Sequence, residues 1–486
     1  MGANLLAVRS HNTALVLDLL RTAGTDGISR LELAERTGLT PQAVSKITAR
    51  LRDSGLVAEA GRRASTGGKP RTVLRLVPEA GHAVGVHLDR DKLRVVLVDL
   101  TGAVVGERGA SLDLGAGAGV VVEAVGREVE ELVGEAGGVG VRGGVGAAVA
   151  GTEAVGSALA GRGVAGTGVA GTEAVGSALA GTRAAGTEAA GSGVAGTRGA
   201  GTEAVGSALA GTGSAGTGSA GTRAAGTEPA GSGVAGTEPA GSGVVGTEAV
   251  GTTGDPVSVV VRPAVGLLLG VGVALPGPLD HIHGILHRVT GFPEWDGFPL
   301  RDALARRLGV PVVVDKDTNA AALGLAVAGE GGSFAYLHLG TGLGAGLVIG
   351  GGVHRGARTG AGEFGHQVIQ LDGPPCDCGN RGCIEALCLA AVARGDVGEA
   401  ARVLGAGAAN LVGLLDIDLV LLGGRTVTAD PEPFVRGVAA VLDERARREG
   451  AREAAVPVRV ASGGARGVAE GAAQLLLGPL FGRADG

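Results

Sequence analysis

Cysteine, lysine, aromatic residues and long apolar runs are all scarce in this sequence of 486 residues. Its 4 cysteines are too few for a disulfide framework in a chain of this size, and three of them lie between positions 376 and 383, which favours a metal site in a reducing compartment. The longest apolar run, residues 264–276, is punctuated by glycine and too short to cross a bilayer, and the N-terminus lacks a signal-peptide pattern. We therefore expect a cytoplasmic protein with no membrane segment.

The hydrophobic content and the distribution of charge limit what the chain can be. Hydrophobic residues make up 45% of the sequence, which is ample for folded cores and excludes disorder throughout. The length corresponds to roughly two to four domains. Residues 1–80 contain 12 basic and 7 acidic side chains, whereas the remainder of the chain contains 30 basic and 41 acidic side chains. This basic head on an acidic body indicates a nucleic-acid-binding module joined to a domain of another kind.

The basic head has the pattern of a winged helix-turn-helix. Apolar residues stand at helical spacing in three segments, residues 12–21, 29–37 and 41–54. A tight turn at Gly38-Leu39 separates the second segment from the third. Thr40 and Pro41 supply an N-cap and a first-turn proline for the third helix. The basic, glycine-rich stretch 61–71 and the apolar residues after it predict a two-stranded wing.

The third helix and the wing carry the candidate DNA contacts. Four residues near the start of the helix are placed to meet base edges: Gln42, Ala43, Ser45 and Lys46. Farther along, Thr48, Arg50 and Arg52 are expected to reach phosphates or solvent. The wing offers four cations to the minor groove or the DNA backbone: Arg62, Arg63, Lys69 and Arg71. The alternative is a solvated surface on a protein–protein module.

An α/β domain follows the head and is interrupted by a repeat. Strand and helix patterns open the domain between residues 83 and 135, and buried strands are predicted at 267–274 and 310–314. From Gly151 to Gly251 a glycine stands at every fifth position, among side chains too small to fill the interior of a solenoid, which favours a linker or disorder over a β-solenoid or an interaction surface. The predicted parts are 1–78, winged helix-turn-helix DNA-binding domain; 79–140, first part of the α/β domain; 141–254, glycine/alanine-rich pentapeptide insertion; and 255–486, the remainder of the α/β domain.

One histidine and three cysteines have the spacing of a metal site. His366, Cys376, Cys378 and Cys383 lie within 18 residues and are separated by glycine and proline, which let the chain fold back. Three thiolates and an imidazole are the donor set of a closed tetrahedral zinc site, and buried structural thiols are the alternative. Cys388 follows in an apolar helical pattern and is assigned to the core. The sequence therefore predicts one zinc ion.

Several motifs together resemble the ROK family of bacterial repressors and sugar kinases. They are Gly-Glu-Phe-Gly-His at 362–366, Cys-x-Cys-Gly-x-x-Gly-Cys-x-Glu at 376–385, Leu-Pro-Gly-Pro at 275–278, Trp-Asp-Gly-Phe-Pro-Leu at 295–300, the segment 314–324, the glycine loop 339–346 and Leu-Val-Leu-Leu-Gly-Gly at 419–424. With the winged head, the resemblance covers the chain apart from the repeat. The combination is similar to the repressors of sugar operons in that family.

The resemblance implies an α/β actin-like ATPase (ribonuclease H-like) fold of two lobes, with a sugar in the cleft and the zinc ordering the loop on the sugar side. It implies that Asp317 stands where family kinases have their general base, and that Glu363, His366 and Glu385 hold sugar hydroxyls. Lys316 stands where the family usually has a sugar-contacting asparagine. A simple helix N-terminal residue is the alternative for Asp317.

The sequence departs from the kinases of that family at the first phosphate loop. Where they carry Asp-x-Gly-Gly-Thr, residues 87–91 read His-Leu-Asp-Arg-Asp, and the two carboxylates would repel a triphosphate. The second glycine loop, 340–346, is compatible equally with phosphate binding and with a structural hairpin. Lys316 could form an ion pair with Asp317 or could hold an anionic ligand such as a sugar phosphate. We therefore expect sugar binding without phosphoryl transfer.

These observations favour a sugar-responsive transcriptional repressor of the ROK type. Its winged heads would bind operator DNA as a homodimer or homotetramer, and its body would respond to a sugar or sugar-phosphate effector with zinc as the cofactor. Two other interpretations remain: an ATP-dependent, glucokinase-like sugar kinase that kept a DNA-binding head, and a DNA-binding regulator whose body has lost its ligand.

Overall fold

The computed structural model describes residues 11–63, 71–137, 139–140, 266–289, 291–450 and 455–483. All of them belong to one unit formed by residues 1–148 and 254–486. The repeat predicted at 141–254 and the wing residue Lys69 lie outside the described residues.

The head consists of a helix-turn-helix and a small sheet. Its elements are α1 (His11–Thr22), β1 (Ile28–Ser29), α2 (Arg30–Thr37), α3 (Pro41–Asp53), β2 (Val57–Arg63) and β3 (Arg71–Leu76), with the sheet in the order β1-β3-β2. A capping box begins α2, since Ser29 Oγ accepts from Glu32 N at 3.3 Å and Ser29 N donates to Glu32 Oε2 at 2.8 Å. Gly38 ends α2 at a φ of 69°, and Thr40 Oγ1 caps α3. The predicted winged helix-turn-helix is confirmed.

The first lobe is built on a mixed sheet. Its elements are β4 (Gly81–Leu88), β5 (Lys92–Asp99), β6 (Val104–Ser111), α4 (Ala118–Glu135), β7 (Val139–Gly140), β8 (Gly266–Leu275), β9 (Leu279–Asp280), β10 (Ile285–Leu286), α5 (Leu300–Leu308) and β11 (Val312–Lys316). The strand order is β11-β8-β4-β5-β6, with β7 paired to the start of β8. The strands β8 and β11 run parallel to β4, whereas β5 and β6 follow it as antiparallel hairpins.

The second lobe repeats this arrangement. Its elements are α6 (Asp317–Ala328), β12 (Phe334–Leu339), β13 (Leu343–Ile349), β14 (Gly352–Val353), α7 (Ile384–Ala393), α8 (Val397–Leu415), β15 (Leu419–Gly423), α9 (Arg425–Ala429), α10 (Pro431–Arg448), β16 (Val458–Val460) and α11 (Gly467–Leu477). The sheet order is β14-β13-β12-β15-β16. As in the first lobe, the first strand is central, with two antiparallel strands on one side and two parallel strands on the other. Two lobes with the same strand order are the architecture of the actin-like ATPase fold.

Two helices, α6 and α11, cross closely between the sheets. A Cβ on Gly471 would lie 1.9 Å from Ala320 O, and one on Gly324 would lie 3.1 Å from Gly471 Cα, so glycine is required at the crossing. Gly85 and Gly272 allow the first-lobe sheet to approach α11 in the same way, since their Cβ atoms would lie 1.8 and 1.9 Å from its carbonyl oxygens. Because α6 begins at Asp317, this packing fixes the position of the cleft residues at its N-terminus.

The head shares a hydrophobic core with the body. Val16, Leu17 and Leu20 of α1 belong to the same buried cluster as Leu477 and Phe481 at the C-terminal end of the chain. The Arg21 guanidinium lies over the Phe481 ring, 5.2 Å from its centre, and Arg483 approaches Asp18 at 3.5 Å. Helix α1 is therefore held by the same C-terminal segment that continues α11.

No helix in the described part of the chain is long and apolar enough to cross a membrane.

Candidate functional site

A cleft is bordered by residues of both lobes, and it contains all five residues predicted to bind a sugar: Lys316, Asp317, Glu363, His366 and Glu385. The strand β11 ends at Lys316 and α6 begins at Asp317, so these two side chains enter the cleft from the strand–helix junction. Other elements contribute Asp89, Arg90, His338 and Thr341. The fold thus brings together residues up to about 300 positions apart in the sequence. Many of the side chains that line the cleft are acidic or basic.

Lys316 forms an ion pair with Glu363. Its Nζ donates to Glu363 Oε1 at 3.1 Å and also to the carbonyl oxygen of Ala361. The lysine side chain is 3% exposed and the glutamate side chain 41% exposed. The sequence left open a pair between Lys316 and Asp317, and the structure instead places the ammonium against the loop before His366.

Asp317 is both a helix N-terminal residue and a cleft residue. Its Oδ1 accepts from Thr318 N at 2.6 Å. Behind it, the buried Asp315 accepts from Asn319 Nδ2 at 2.9 Å and from Arg355 Nε at 2.7 Å. Because Asp315 lies in β11 of the first-lobe sheet and Arg355 lies in the second lobe, this buried ion pair joins the lobes beside the cleft.

Glu385 is held by the backbone of the neighbouring hairpin. It lies in the first turn of α7, is 9% exposed, and its Oε2 accepts from Leu343 N at 2.7 Å. A Cβ on Gly365 would lie 2.1 Å from Leu343 O, so the glycine lets the loop of Glu363 and His366 pack against the same hairpin.

The first-lobe turn 89–91 contacts the second lobe at two points. Asp89 Oδ1 accepts from Thr341 Oγ1 at 3.2 Å, and Asp91 forms an ion pair of 2.8 Å with Arg425, the first residue of α9. Burial alone would raise the pKa of Asp89, but the Arg90 N–H, His87, Arg425 and the Thr341 hydroxyl together lower it. Asp89 is therefore an ionised, hydrogen-bonded carboxylate at the position where kinases of the resembled family have a glycine.

Two further histidines are near the cleft: His338, which lines it, and His87, which is close enough to Asp317 and His338 to be influenced by their charges. Burial lowers the pKa of His87 to about 4, against the opposing charge of Asp317. His338 Nδ1 lies 2.8 Å from the hydroxyl of Tyr336, whose pKa is raised by burial. His87 is consequently neutral near pH 7, and it takes the position of the first aspartate of the kinase loop.

The second glycine loop is shorter than the sequence suggested. The turn spans only 340–342, where Gly340 N donates to Gly342 O at 2.9 Å, and Gly344 and Gly346 lie within β13. A Cβ on Gly346 would lie 2.1 Å from Thr318 O. Gly346 thus allows β13 to pack closely against α6. This role fits the structural hairpin that the sequence offered as the alternative to a phosphate-binding loop.

Near the loop that carries Glu363, a further contact joins the lobes at a strained residue. Thr359 has a φ of 56°, which is unfavourable for a β-branched residue, and it is 3% exposed. Its hydroxyl lies 2.7 Å from His281 Nδ1 in the loop between β9 and β10. The loop that carries Lys316's partners is therefore tied to the first lobe.

The predicted metal ligands converge. The donor atoms of His366, Cys376, Cys378 and Cys383 all lie within 4.8 Å of one another. The Sγ atoms of Cys378 and Cys383 are 3.7 Å apart, and His366 Nδ1 lies 3.7 Å from Cys376 Sγ. Zn–S bonds of about 2.3 Å give a tetrahedral S–S edge of about 3.8 Å, so the cluster has the dimensions of a metal site. Burial and the neighbouring thiols of Cys376 and Cys378 raise the pKa of Cys383 to about 12.

The fourth cysteine lies apart from this cluster, as predicted. Cys388 is fully buried in α7, and its thiol donates to Ala400 O at 3.5 Å. Burial raises its pKa to about 12.

The head presents most of the predicted DNA contacts to solvent. Gln42, Ser45 and Lys46 are exposed on α3, Ala43 is half-buried, and Arg50, Arg62 and Arg71 are exposed. Thr48 was predicted wrongly: it is 0% exposed, and its hydroxyl donates to Val44 O at 2.9 Å and accepts from Arg30 Nε at 3.3 Å. Arg52 is exposed and pairs with Glu59 at 3.2 Å. Arg63 ends β2, and its side chain lies outside the described atoms.

Sequence reasoning missed the residues that join the lobes. Asp315 and Arg355 are 40 positions apart, and Asp91 and Arg425 are 334 apart. The run Asp315-Lys316-Asp317 gave a signal that the strand end is charged, but no pattern in the sequence indicates the distant partners.

The fold and the site together define a two-lobed, actin-like α/β protein with a winged helix-turn-helix head. Residues 258–392 match the ROK family, and residues 16–58 match the family described as winged helix-turn-helix DNA-binding. The chain therefore contains a ROK family domain joined to an N-terminal winged helix-turn-helix.

Curated relatives of this chain include kinases and repressors. A glucokinase from Thermotoga maritima is 42% identical over 128 residues, which is 26% of this chain and 40% of that protein. A xylose repressor from Caldicellulosiruptor bescii is 38% identical over 121 residues, which is 24% of this chain and 30% of that protein. The chain thus spans less than half the length of either relative.

A solved structure has the same fold. The crystal structure of a ROK family transcriptional regulator, a homologue of the E. coli Mlc protein, superposes with a TM-score of 0.60 at 16% identity and covers 99% of this chain and 98% of its own. The similarity extends over the head and both lobes.

Proposed function

We propose that this protein is a sugar-responsive transcriptional repressor. The observation that carries the proposal is the combination of an exposed surface on α3 with a cleft lined by charged side chains in a body that shares its core with the head. Gln42 and Lys46 would reach base edges in the major groove, while Arg50, Arg62, Arg63, Lys69 and Arg71 would contact phosphates or the minor groove. A homodimer or homotetramer would place two heads on a two-fold-symmetric operator.

The cleft is proposed to bind the effector through its carboxylates. Glu363 and Glu385 each accept one protein hydrogen bond through one oxygen, which leaves the other oxygen for a sugar hydroxyl. Asp317 would accept from the hydroxyl nearest α6. His366 would contribute its second ring nitrogen, because its Nδ1 faces the cysteines.

We propose zinc as the metal of the His366, Cys376, Cys378 and Cys383 cluster. Thiolate and imidazole donors in a nearly closed tetrahedron suit zinc, and they leave little room for a water ligand. When bound, the ion would supply structure by fixing the loop 366–383 beside the cleft. His366 would link the metal loop to the ligand, and Glu385 would lie two residues after the last cysteine ligand, Cys383.

Operator selection from random duplexes, followed by fluorescence anisotropy with the full chain, tests the proposal. We expect specific binding that weakens on addition of one sugar or sugar acid, and that loses this response in Glu385→Gln. A matched control is Glu449→Gln, an exposed glutamate beyond the end of α10. Failure to select any sequence above random duplex would refute the repressor function. Specific binding that no ligand alters would support the third interpretation, a regulator whose body has lost its ligand.

A kinase is the second candidate because the glucokinase relative is 42% identical within the matched segment. The charged turn 89–91 and its contacts with Thr341 and Arg425 argue against it, since a triphosphate would have to displace both contacts. A coupled ATPase assay with magnesium and common sugars distinguishes the two. Turnover that is abolished by Asp317→Asn would establish the kinase, whereas we expect none above background.

A further inference from the structure

Among the described residues, Arg90 is a cation of the cleft that has no anionic hydrogen-bond partner. Arg90 lies in the turn between β4 and β5 and lines the cleft. Its guanidinium stands over the Phe292 ring, 5.7 Å from the ring centre, and its Nη2 lies 3.7 Å from the position of a Cβ on Gly342. Within the described part of the chain, no oxygen accepts a hydrogen bond from the Arg90 side chain.

The other ionised groups of the cleft are already engaged. Each carboxylate accepts a hydrogen bond from the protein: Asp89 from Thr341 Oγ1, Asp317 from Thr318 N, Glu363 from Lys316 Nζ and Glu385 from Leu343 N. Lys316 donates to two oxygens and is 3% exposed, so it has little capacity for a ligand. Arg90 is therefore the exception among the charged residues that line the cleft.

A guanidinium in this position is a suitable anion receptor. It stays charged at any physiological pH and offers five N–H donors in a planar fork that matches a carboxylate or a phosphate. The ring of Phe292 holds one face of the fork, which leaves its edge for hydrogen bonding. Gly342 has no side chain, and a Cβ there would lie 3.7 Å from Nη2 and 3.0 Å from Glu385 Oε2, so a ligand beside this turn would meet both groups.

We infer that Arg90 determines specificity and that the cleft binds an acidic monosaccharide, whose carboxylate or phosphate pairs with Arg90. The inference rests on the proposed function, in which the cleft holds a sugar. The acidic group would lie at the end of the cleft bordered by the turns 89–91 and 340–342. The hydroxyls of the ring would then face Glu363 and Glu385.

Isothermal titration calorimetry on the full chain tests this inference with glucose, glucuronate and glucose 6-phosphate, which share a ring and differ at carbon 6. We expect one of the two acids to bind at least about tenfold more tightly than glucose. Arg90→Gln should lower the affinity for that acid by at least about tenfold and change the affinity for glucose by less than about twofold. Arg90→Lys should restore part of the loss, because it returns the charge without the fork.

Arg94→Gln is the matched control. It removes the same charge close to His87, but its guanidinium does not line the cleft and lies 4.0 Å from Glu107. We expect it to leave the preference for the acid unchanged.

Three results of the sugar titrations would overturn the inference. They are glucose binding as tightly as both acids, Arg90→Gln lowering all affinities equally, and neither acid binding at millimolar concentration. Binding of inorganic phosphate as tightly as glucose 6-phosphate would also overturn it, because the site would then recognise an ion alone. The titrations contain no DNA, so a negative result leaves operator binding, measured separately, unaffected.

Discussion

The Asp91 carboxylate and the Arg425 guanidinium join the two lobes across the mouth of the cleft, with Arg425 Nη1 at 3.1 and 2.8 Å from the two carboxylate oxygens. The side chains are 53% and 42% exposed, so the pair contributes at most about 1 kcal/mol to stability. The pair matters for where it places the two side chains and not for the energy that it contributes. The pair and the neighbouring contact between Asp89 and Thr341 place protein groups where the resembled kinases would accommodate phosphates.

The metal cluster should depend on Cys378 and not on Cys388. We expect Cys378→Ser to lose the metal, because it removes one thiolate from the four donors, and Cys388→Ser to keep one metal ion per chain, because that thiol lies in the core and donates to Ala400 O. Elemental analysis of the purified proteins measures this directly. Full metal content in Cys378→Ser would show that the ligands are other residues.

DNA binding should separate into base recognition and backbone contact. Gln42→Ala is expected to reduce the preference for the selected operator over a scrambled duplex, and Arg71→Ala to weaken both equally and lower the salt slope by about one. Arg448→Ala, on α10 and paired with Glu444, serves as the control. Anisotropy at several salt concentrations provides the measurement, and an unchanged slope in Arg71→Ala would contradict the proposed backbone contact.

Stability should fall in acid partly because of His87. Burial lowers its pKa to about 4 from an ordinary value of 6.5, with Asp317, His338, Asp89 and Arg94 as the charged or titratable neighbours. Between those two pH values the unfolded chain binds more protons than the folded protein. The free energy of unfolding therefore decreases as pH falls from 6.5 towards 4, by up to about 1.4 kcal/mol per pH unit.

We expect His87→Gln to remove this part of the pH dependence, as measured by urea unfolding at pH 7 and pH 5. His82, whose pKa is also lowered by burial, contributes in the same direction and remains in the variant. The metal cluster is present in the wild-type protein and in the variant, so its pH dependence is the same in both. If the free energy of unfolding falls equally from pH 7 to pH 5 in the wild-type protein and in His87→Gln, His87 is not responsible for the loss of stability.

The crossing of α6 and α11 should not tolerate a methyl group. Gly471→Ala would place a Cβ 1.9 Å from Ala320 O, and we expect a loss of about 1–3 kcal/mol. Gly134→Ala in α4 meets nothing within 4 Å and should instead stabilise the protein by up to about 1 kcal/mol. Urea denaturation compares the two variants, and equal midpoints would contradict the close crossing.

Local patterns were sufficient to predict the helices of the head and the grouping of the four metal-ligand candidates, whereas the residues assigned to the cleft came from the resemblance to the ROK family. The capping residues Ser29 and Thr40 mark the starts of α2 and α3, and the cysteine spacing predicts a cluster whose donors do lie together. Such features depend on neighbours in the sequence. The placement of Lys316 and Asp317 at a strand–helix junction follows from the same kind of local information.

Partners and burial could not be predicted, because they depend on tertiary contacts. Lys316 pairs with Glu363, 47 residues away, although Asp317 is its neighbour. Thr48 is buried because it lies on the same helical stripe as Val44 and Leu51, and bonding to a backbone carbonyl satisfies its hydroxyl. In the sequence, a polar residue at a core position cannot be distinguished from a polar residue at the surface.

The core shared by α1 and the C-terminal residues has a consequence for protein engineering. A head grafted onto another body without the segment 478–483 would expose Leu17 and Leu20 and leave Arg21 without the Phe481 ring. The exchangeable unit is therefore discontinuous, comprising both ends of the chain. Chimeric regulators built from this protein should transplant the two ends together.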